Sequence, residues 1–109
     1  MYKVQLTNKA QSDLQEITTY IAQNLRNSQA AHDFLDAAAS LFDDLSQTPN
    51  KYSRVQEPYF HAQSICWASL KNYLAFYRVH DSEQQVNILL ILYQKRNWQQ
   101  VLKDDSAVQ

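Results

Sequence analysis

Four cations in the C-terminal half of the chain are the residues best suited to chemistry: Arg54, Arg78, Lys95 and Arg96. Lys95 and Arg96 stand side by side at the end of the apolar run VNILLILY, and Asn97-Trp98 follow at once. Paired positive charge beside an indole suits contact with an acidic protein surface or with phosphate, Trp98 acting as an anchor. The alternative is a solvated strand end with an aromatic closing the core. Arg78 lies in YLAFYRVH among apolar neighbours. Its guanidinium either pairs with a carboxylate inside the fold or reaches the rim toward a partner.

Charge is unevenly spread. Residues 1–50 carry three basic against six acidic side chains, and residues 51–103 carry seven against three. The overall net charge is −1. A near-neutral total argues against strong, direct DNA binding by this chain alone, which needs many phosphate contacts. Glycine is absent, so neither a P-loop nor a dinucleotide fingerprint can be written. Cys66 is the single cysteine; it lies in an apolar run and reads as a buried, inert thiol. His32 reads as a surface residue, and His61 and His80 lack the spacing of metal ligands. No metal and no cofactor is expected. The opening MYKVQLT lacks a charged segment followed by a long apolar one, and no run is long enough to span a membrane. A cytoplasmic protein without membrane contact is the expectation.

These residues must be positioned by elements that the pattern makes legible. Tyr2, Val4 and Leu6 alternate at strand period. Ala10, Leu14, Ile17, Ile21 and Leu25 recur at helical spacing, with Thr7 or Asn8 as N-cap and Arg26 at the end. Ser28 caps a second helix bearing Ala31, Phe34, Leu35, Ala38, Leu41, Phe42 and Leu45. Thr48-Pro49-Asn50 stops it. Residues 51–63 read as a loop, with Tyr52, Tyr59 and Phe60 as a lid. Strands follow at Ile65–Leu70, Tyr73–His80 and Val86–Tyr93. They are joined by Lys71-Asn72, with Asn72 at the positive-φ position, and by the turn Asp81–Gln85. In the last strand Val86, Ile88, Leu90 and Leu92 should face one way and Leu89 and Ile91 the other. Asn97 caps a short helix through Lys103, and residues 104–109 read as a frayed tail. The fold class is α+β, in the order β-α-α-β-β-β-α. It is one domain over residues 1–109: an antiparallel meander covered on one face by an N-terminal helical hairpin, the other face open or taken by a partner.

The order of elements, together with the segments YKVQLTNKAQSDLQEITTYIA, YLAFYRV and ILLILYQKRNW, resembles the ParE/RelE superfamily of toxins from bacterial type II toxin–antitoxin (plasmid stabilisation) systems. The resemblance covers nearly the whole chain. It implies a RelE/ParE-like fold, growth arrest as the effect and a cognate antitoxin as partner. RelE-like members cut messenger RNA on the ribosome, and ParE-like members are known as DNA gyrase inhibitors. Cleavage through the ribose 2′-hydroxyl needs cations on the phosphate and an acid for the leaving oxygen. The RelE pattern has an arginine directly after the residue matching Tyr73, where this chain has Leu74. The pattern's acid is a tyrosine or histidine at or after the end of the last strand; Tyr93–Arg96 offer no histidine, and Tyr93 reads as facing the core. The resemblance therefore favours the ParE-like branch, a gyrase inhibitor that is not an enzyme. Arg78, Lys95, Arg96 and Trp98 would share a surface that contacts the target. The alternative is a ribosome-dependent ribonuclease using Arg54, Arg78, Lys95 and Arg96. A further alternative is a non-toxic remnant that binds only its antitoxin. The expected antitoxin contacts are Leu14, Ile21, Phe34, Tyr73, Tyr77, Leu89 and Ile91.

Overall fold

The computed structural model describes residues 1–105; most of the expected tail, 106–109, lies outside the described residues. Strand β1 (Lys3–Leu6) leads into helix α1 (Asn8–Thr19), which continues as a π-helical turn over Tyr20–Asn24. Helix α2 (Ser28–Gln47) returns alongside. Thr7 caps α1, its hydroxyl accepting from Ala10 N–H at 3.1 Å. Asn27, not Ser28, caps α2, accepting from Ala30 N–H at 2.9 Å. The residues read as a loop contain a two-residue strand β2 (Ser53–Arg54) and a short helix α3 (Pro58–Ala62). Pro58 suits the first turn of α3, where no intrahelical N–H bond is needed. Strands β3 (Cys66–Leu70), β4 (Tyr73–His80) and β5 (Gln85–Tyr93) follow, and helix α4 (Trp98–Asp104) closes the described chain. Asn97 caps α4 through Gln100 N–H at 3.3 Å.

The sheet runs β1-β5-β4-β3-β2. The meander β3-β4-β5 is antiparallel as expected, but β1 joins the outside of β5 in parallel, so the sheet is mixed. The helical hairpin supplies the long crossover that a parallel pair requires. Without glycine, the backbone puts ordinary residues in the left-handed region: Arg26 (φ 50°), Ser64 (φ 60°), Lys71 (φ 56°) and Gln84 (φ 50°). Lys71 therefore takes the position expected of Asn72.

Two cores lie on the two sheet faces. The hairpin face buries Phe34, Ala38, Leu41 and Leu45 of α2 against Ala75, Tyr77, Val86, Ile88 and Ile91. The opposite face is not open. Phe60 of α3 and Leu102 of α4 cover Phe76, Leu89, Leu90 and Leu92, with Val55 and Ile65 beside them. A β-bulge explains why simple alternation fails along β5. Phe76 pairs with Leu90 and Tyr77 with Ile88, which leaves Leu89 as an extra residue. The inserted residue switches the facing of everything after it. Val86 and Ile88 share the hairpin face with Ile91, whereas Leu89, Leu90 and Leu92 belong to the other core.

Because β1 is short, the far half of β5 needs another partner on that edge. Thr7 and Asp13 provide it. Thr7 N–H donates to Ile88 O (3.0 Å) and its hydroxyl to Leu89 O (2.8 Å). The Asp13 carboxylate, only 6% exposed, accepts from Ile91 N–H at 3.0 Å. Lys9 pairs with the other oxygen of Asp13 from one turn earlier. A buried carboxylate is tolerated because a cation and a backbone donor both serve it.

Candidate functional site

The four cations named from sequence do not converge. Arg54 is opposite Cys66, and Cys66 is opposite Tyr77, so Arg54 shares their row on the hairpin face at the β2 edge. Burial raises the Cys66 thiol above its ordinary range, and the adjacent Arg54 guanidinium opposes this. Arg78, next to Tyr77 in β4, points to the opposite face. Its Nε donates to Gln63 O at 3.0 Å, tying the exit of α3 to the sheet. Lys95 and Arg96 lie beyond Tyr93, which pairs with Tyr73. Arg78 is five steps along β4 from that level, about 17 Å at ~3.4 Å per residue. The expectation that Arg78 shares a surface with Lys95 and Arg96 is therefore corrected. Trp98 is a core cap rather than a free anchor: it stacks on Phe76 (5.7 Å between centroids) and leans on Phe60 (5.8 Å).

The sheet end that carries Lys95 and Arg96 gains a third cation that sequence reasoning passed over. Gln94 N–H donates to Asn72 O at 3.0 Å, which brings the β3–β4 turn beside the end of β5. Lys71, Lys95 and Arg96 are all exposed there. Next to them is a groove of about 660 Å³ between the hairpin tip and the sheet, lined by Tyr20, Leu25, Phe34, Lys71, Tyr73 and Tyr93 among others. Tyr73 meets Phe34 edge-on at 5.4 Å and Tyr93 at 5.7 Å. Burial, then the nearby Tyr20 and Tyr93 phenols, raise the Tyr73 hydroxyl above its ordinary range. Tyr20 and Tyr93 are 48% and 40% exposed. The π-turn, a local irregularity often found at functional sites, carries Tyr20 into this groove. Three cations and a cluster of amphipathic aromatic rings make a surface fitted to an acidic or mixed protein patch.

A second groove, of about 340 Å³, lies on the face opposite the hairpin. It is lined by Val55, Gln56, Glu57, Trp67, Leu74, Phe76 and Trp98. Leu74, which stands where RelE-like members carry an arginine, is in its wall. No cation lines this groove, and its one ionisable side chain is the Glu57 carboxylate. The sequence reading did not single out Trp67 or Glu57. The Glu57-Pro58 pair at a helix start and the alternation Trp67, Ser69 outward from Ala68, Leu70 inward were the available signals.

Most of the expected antitoxin contacts are committed to the chain's own packing. Phe34, Tyr77, Leu89 and Ile91 are buried, and Ile21 nearly so. Helix α2, α3 and α4 already occupy the surface they would offer. Leu14 and Tyr73 stay partly exposed, Leu14 in a shallow groove with Leu6 and Leu35. Among the described residues, no group of three or more His, Cys, Asp or Glu side chains could hold a metal ion. No helix there is long and apolar enough to cross a membrane.

The family model for the ParE toxin of type II toxin–antitoxin systems (parDE) matches residues 4–98. The chain belongs to the ParE toxin family. It is thus the toxin component of a type II toxin–antitoxin module. Solved structures that share its fold include the following two. One is the chromosomal ParDE toxin–antitoxin system of P. aeruginosa, with TM-score 0.67 and 22% identity over 85% of this chain and 96% of that one. The other is the toxin–antitoxin complex RelBE2 of Mycobacterium tuberculosis, with TM-score 0.60 and 21% identity over 85% of this chain and 98% of that one. No curated protein matches the chain in sequence. ParE and RelE members share this architecture, so the chemistry must be argued from side chains.

Proposed function

We propose that this ParE-family toxin acts by binding a protein target, with DNA gyrase as that target, and that a cognate antitoxin masks it. The observation that carries this reading is the groove around Leu74. A ribonuclease of the RelE type needs cations converging on the scissile phosphate. Here that wall is Leu74, Phe76, Trp67 and Trp98 with a carboxylate. Arg54 and Arg78 lie on opposite faces, and Lys95 and Arg96 are at the far end of the strands. A phosphate held by Arg54 or by Arg78 would miss the other and the Lys95–Arg96 pair as well.

The target-contact surface in this reading is the sheet end with Lys71, Lys95, Arg96 and the Tyr20–Tyr73–Tyr93 cluster. The antitoxin, a short amphipathic chain disordered when alone, covers the exposed Tyr20, Leu25 and Leu35 of the hairpin. Leu14 and Tyr73 remain among its contacts. The deciding experiment is a supercoiling assay with purified toxin, run beside primer extension on messages after induction. Inhibition of supercoiling with intact messages is expected. New 5′ ends at codon boundaries with normal supercoiling would overturn the reading in favour of the ribonuclease alternative. Normal growth on unopposed expression would leave only the antitoxin-binding remnant.

A further inference from the structure

The groove opposite the hairpin holds a group that its apolar walls do not need. One oxygen of Glu57, Oε1, accepts from Tyr59 N–H at 3.1 Å and so fixes the carboxylate where α3 begins. The other, Oε2, is buried and has no hydrogen-bond partner. Folded proteins rarely leave a carboxylate oxygen shut from water without a donor, and such an exception calls for a reason. The groove supplies one. Its walls include both tryptophans of the chain, Trp67 and Trp98, together with Phe76. Trp67 is 37% exposed at the mouth, and Trp98 is held in place by its stacking on Phe76.

Indole faces attract cations through the negative face of the ring. A carboxylate oxygen beside them completes the pair of contacts that a guanidinium or ammonium seeks: a flat π surface and a charge-assisted acceptor. An anion would meet the Glu57 charge and the negative ring faces together. The volume, about 340 Å³, is at the small end of ligand sites and suits one side chain with its stem along Leu74 and Val55.

We propose that this groove receives an arginine or lysine side chain of a protein partner, the cationic head lying against the Trp67 and Trp98 indoles and donating to the Glu57 carboxylate, whose Oε2 turns out of its buried position to accept. The occupant is a polypeptide, not a nucleic acid. The proposal rests on the protein-binding reading above but not on which protein is the target.

Because both tryptophans line the groove, intrinsic fluorescence of the whole chain reports its occupation directly. The probes are the acetylated amides of arginine and lysine, the citrulline amide as the neutral isostere of arginine, and a short single-stranded RNA. The arginine and lysine amides are expected to give a saturable change, with an affinity on the order of millimolar for one isolated side chain. Citrulline amide should give none. Glu57→Gln keeps an amide oxygen for Tyr59 N–H and should weaken binding tenfold or more. Trp67→Ala, at an exposed position outside both cores, should weaken it as well; a melting curve for each variant shows that the fold is intact. Equal responses to citrulline and arginine, undiminished binding by both variants, or displacement of the arginine probe by RNA would overturn the proposal. The titration contains no gyrase, so its failure and that of the supercoiling test are independent.

Discussion

Replacing Asp13 tests how this fold closes the sheet edge where β1 ends. Asp13 is almost fully buried and accepts from Ile91 N–H at 3.0 Å, while Lys9 serves its other oxygen. Asp13→Ala removes a charged acceptor, worth about 1.5–3 kcal/mol, and leaves a buried backbone N–H unpaired. Relaxation of the edge and entry of water recover part of the loss, so the expected cost is about 2–4 kcal/mol. Asp13→Asn retains a carbonyl oxygen of the same reach for Ile91 and forfeits the charge assistance, at about 1 kcal/mol. Lys9→Met leaves the buried carboxylate without its cation; Lys9 is half exposed, so water offsets part of the loss and the cost is about 1–3 kcal/mol. A domain of this size has roughly 5–15 kcal/mol in total. The alanine variant should therefore melt roughly 8–32 °C lower, at about 4–8 °C per kcal/mol. Urea denaturation of the purified chains, followed by circular dichroism at neutral pH, ranks the three. If Asp13→Asn costs as much as Asp13→Ala, or if the alanine variant stays within 0.5 kcal/mol of the parent (about the scatter of a neutral surface change), the carboxylate is not holding the edge.

Tyr77 presents the opposite case: its hydroxyl is buried in the hairpin-face core without a hydrogen-bond partner. Tyr77→Phe should stabilise the chain by about 1–2 kcal/mol in the same urea assay. Burial, with small additions from Cys66 and Tyr52, raises this phenol well above its ordinary range. Above the unfolded value near pH 10 the unfolded chain releases the proton and the folded one keeps it, so stability falls by up to about 1.4 kcal/mol per pH unit; the phenylalanine variant should lack that alkaline limb. At the acid end, Asp44 is held below the usual carboxylate range by hydrogen bonds from Tyr52 (2.9 Å) and then Lys51 (3.2 Å). Its contribution is present above the unfolded value and disappears as pH falls through the lowered one, so Tyr52→Phe should flatten the acid limb of a stability–pH profile. Gln84→Gly relieves a left-handed non-glycine residue, and since the strain of ~1–2 kcal/mol is partly offset by glycine's entropy, a gain of up to about 1 kcal/mol is expected on melting. Charge reversal at Lys71, Lys95 and Arg96 together should reduce supercoiling inhibition at least tenfold with an unchanged melting temperature, whereas Arg54→Glu should leave inhibition intact.

The elements themselves were legible because each satisfied a local rule. The apolar stripe from Ala10 to Leu25, the stop at Thr48-Pro49 and the caps Thr7 and Asn97 depend only on neighbours in the chain. The candidate site was legible only in part. Lys95 and Arg96 stand out by their order along the chain, but Lys71 joins them through the Asn72–Gln94 hydrogen bond, which closes a hairpin more than twenty residues long. Arg78 looked like their neighbour because alternation along a strand says nothing about distance along it. Four of the expected antitoxin contacts are taken up by the fold for a related reason: an apolar residue chosen by period is chosen for burial, and Phe34, Tyr77, Leu89 and Ile91 are buried by this chain itself.

Family, element order and the lack of a cation at Leu74 were written in the linear order of residue types, since propensity, capping and short motifs act over a few positions. Which face each side chain of β5 presents, which cations meet, and how β1 enters the sheet were decided only by tertiary structure. A single extra residue at Leu89 reverses the facing of the strand's second half, and the parallel pairing of β1 with β5 joins segments some eighty positions apart. Neither is a local preference: each is the arrangement that lets two cores close on one sheet while Asp13 and Thr7 satisfy the edge left over.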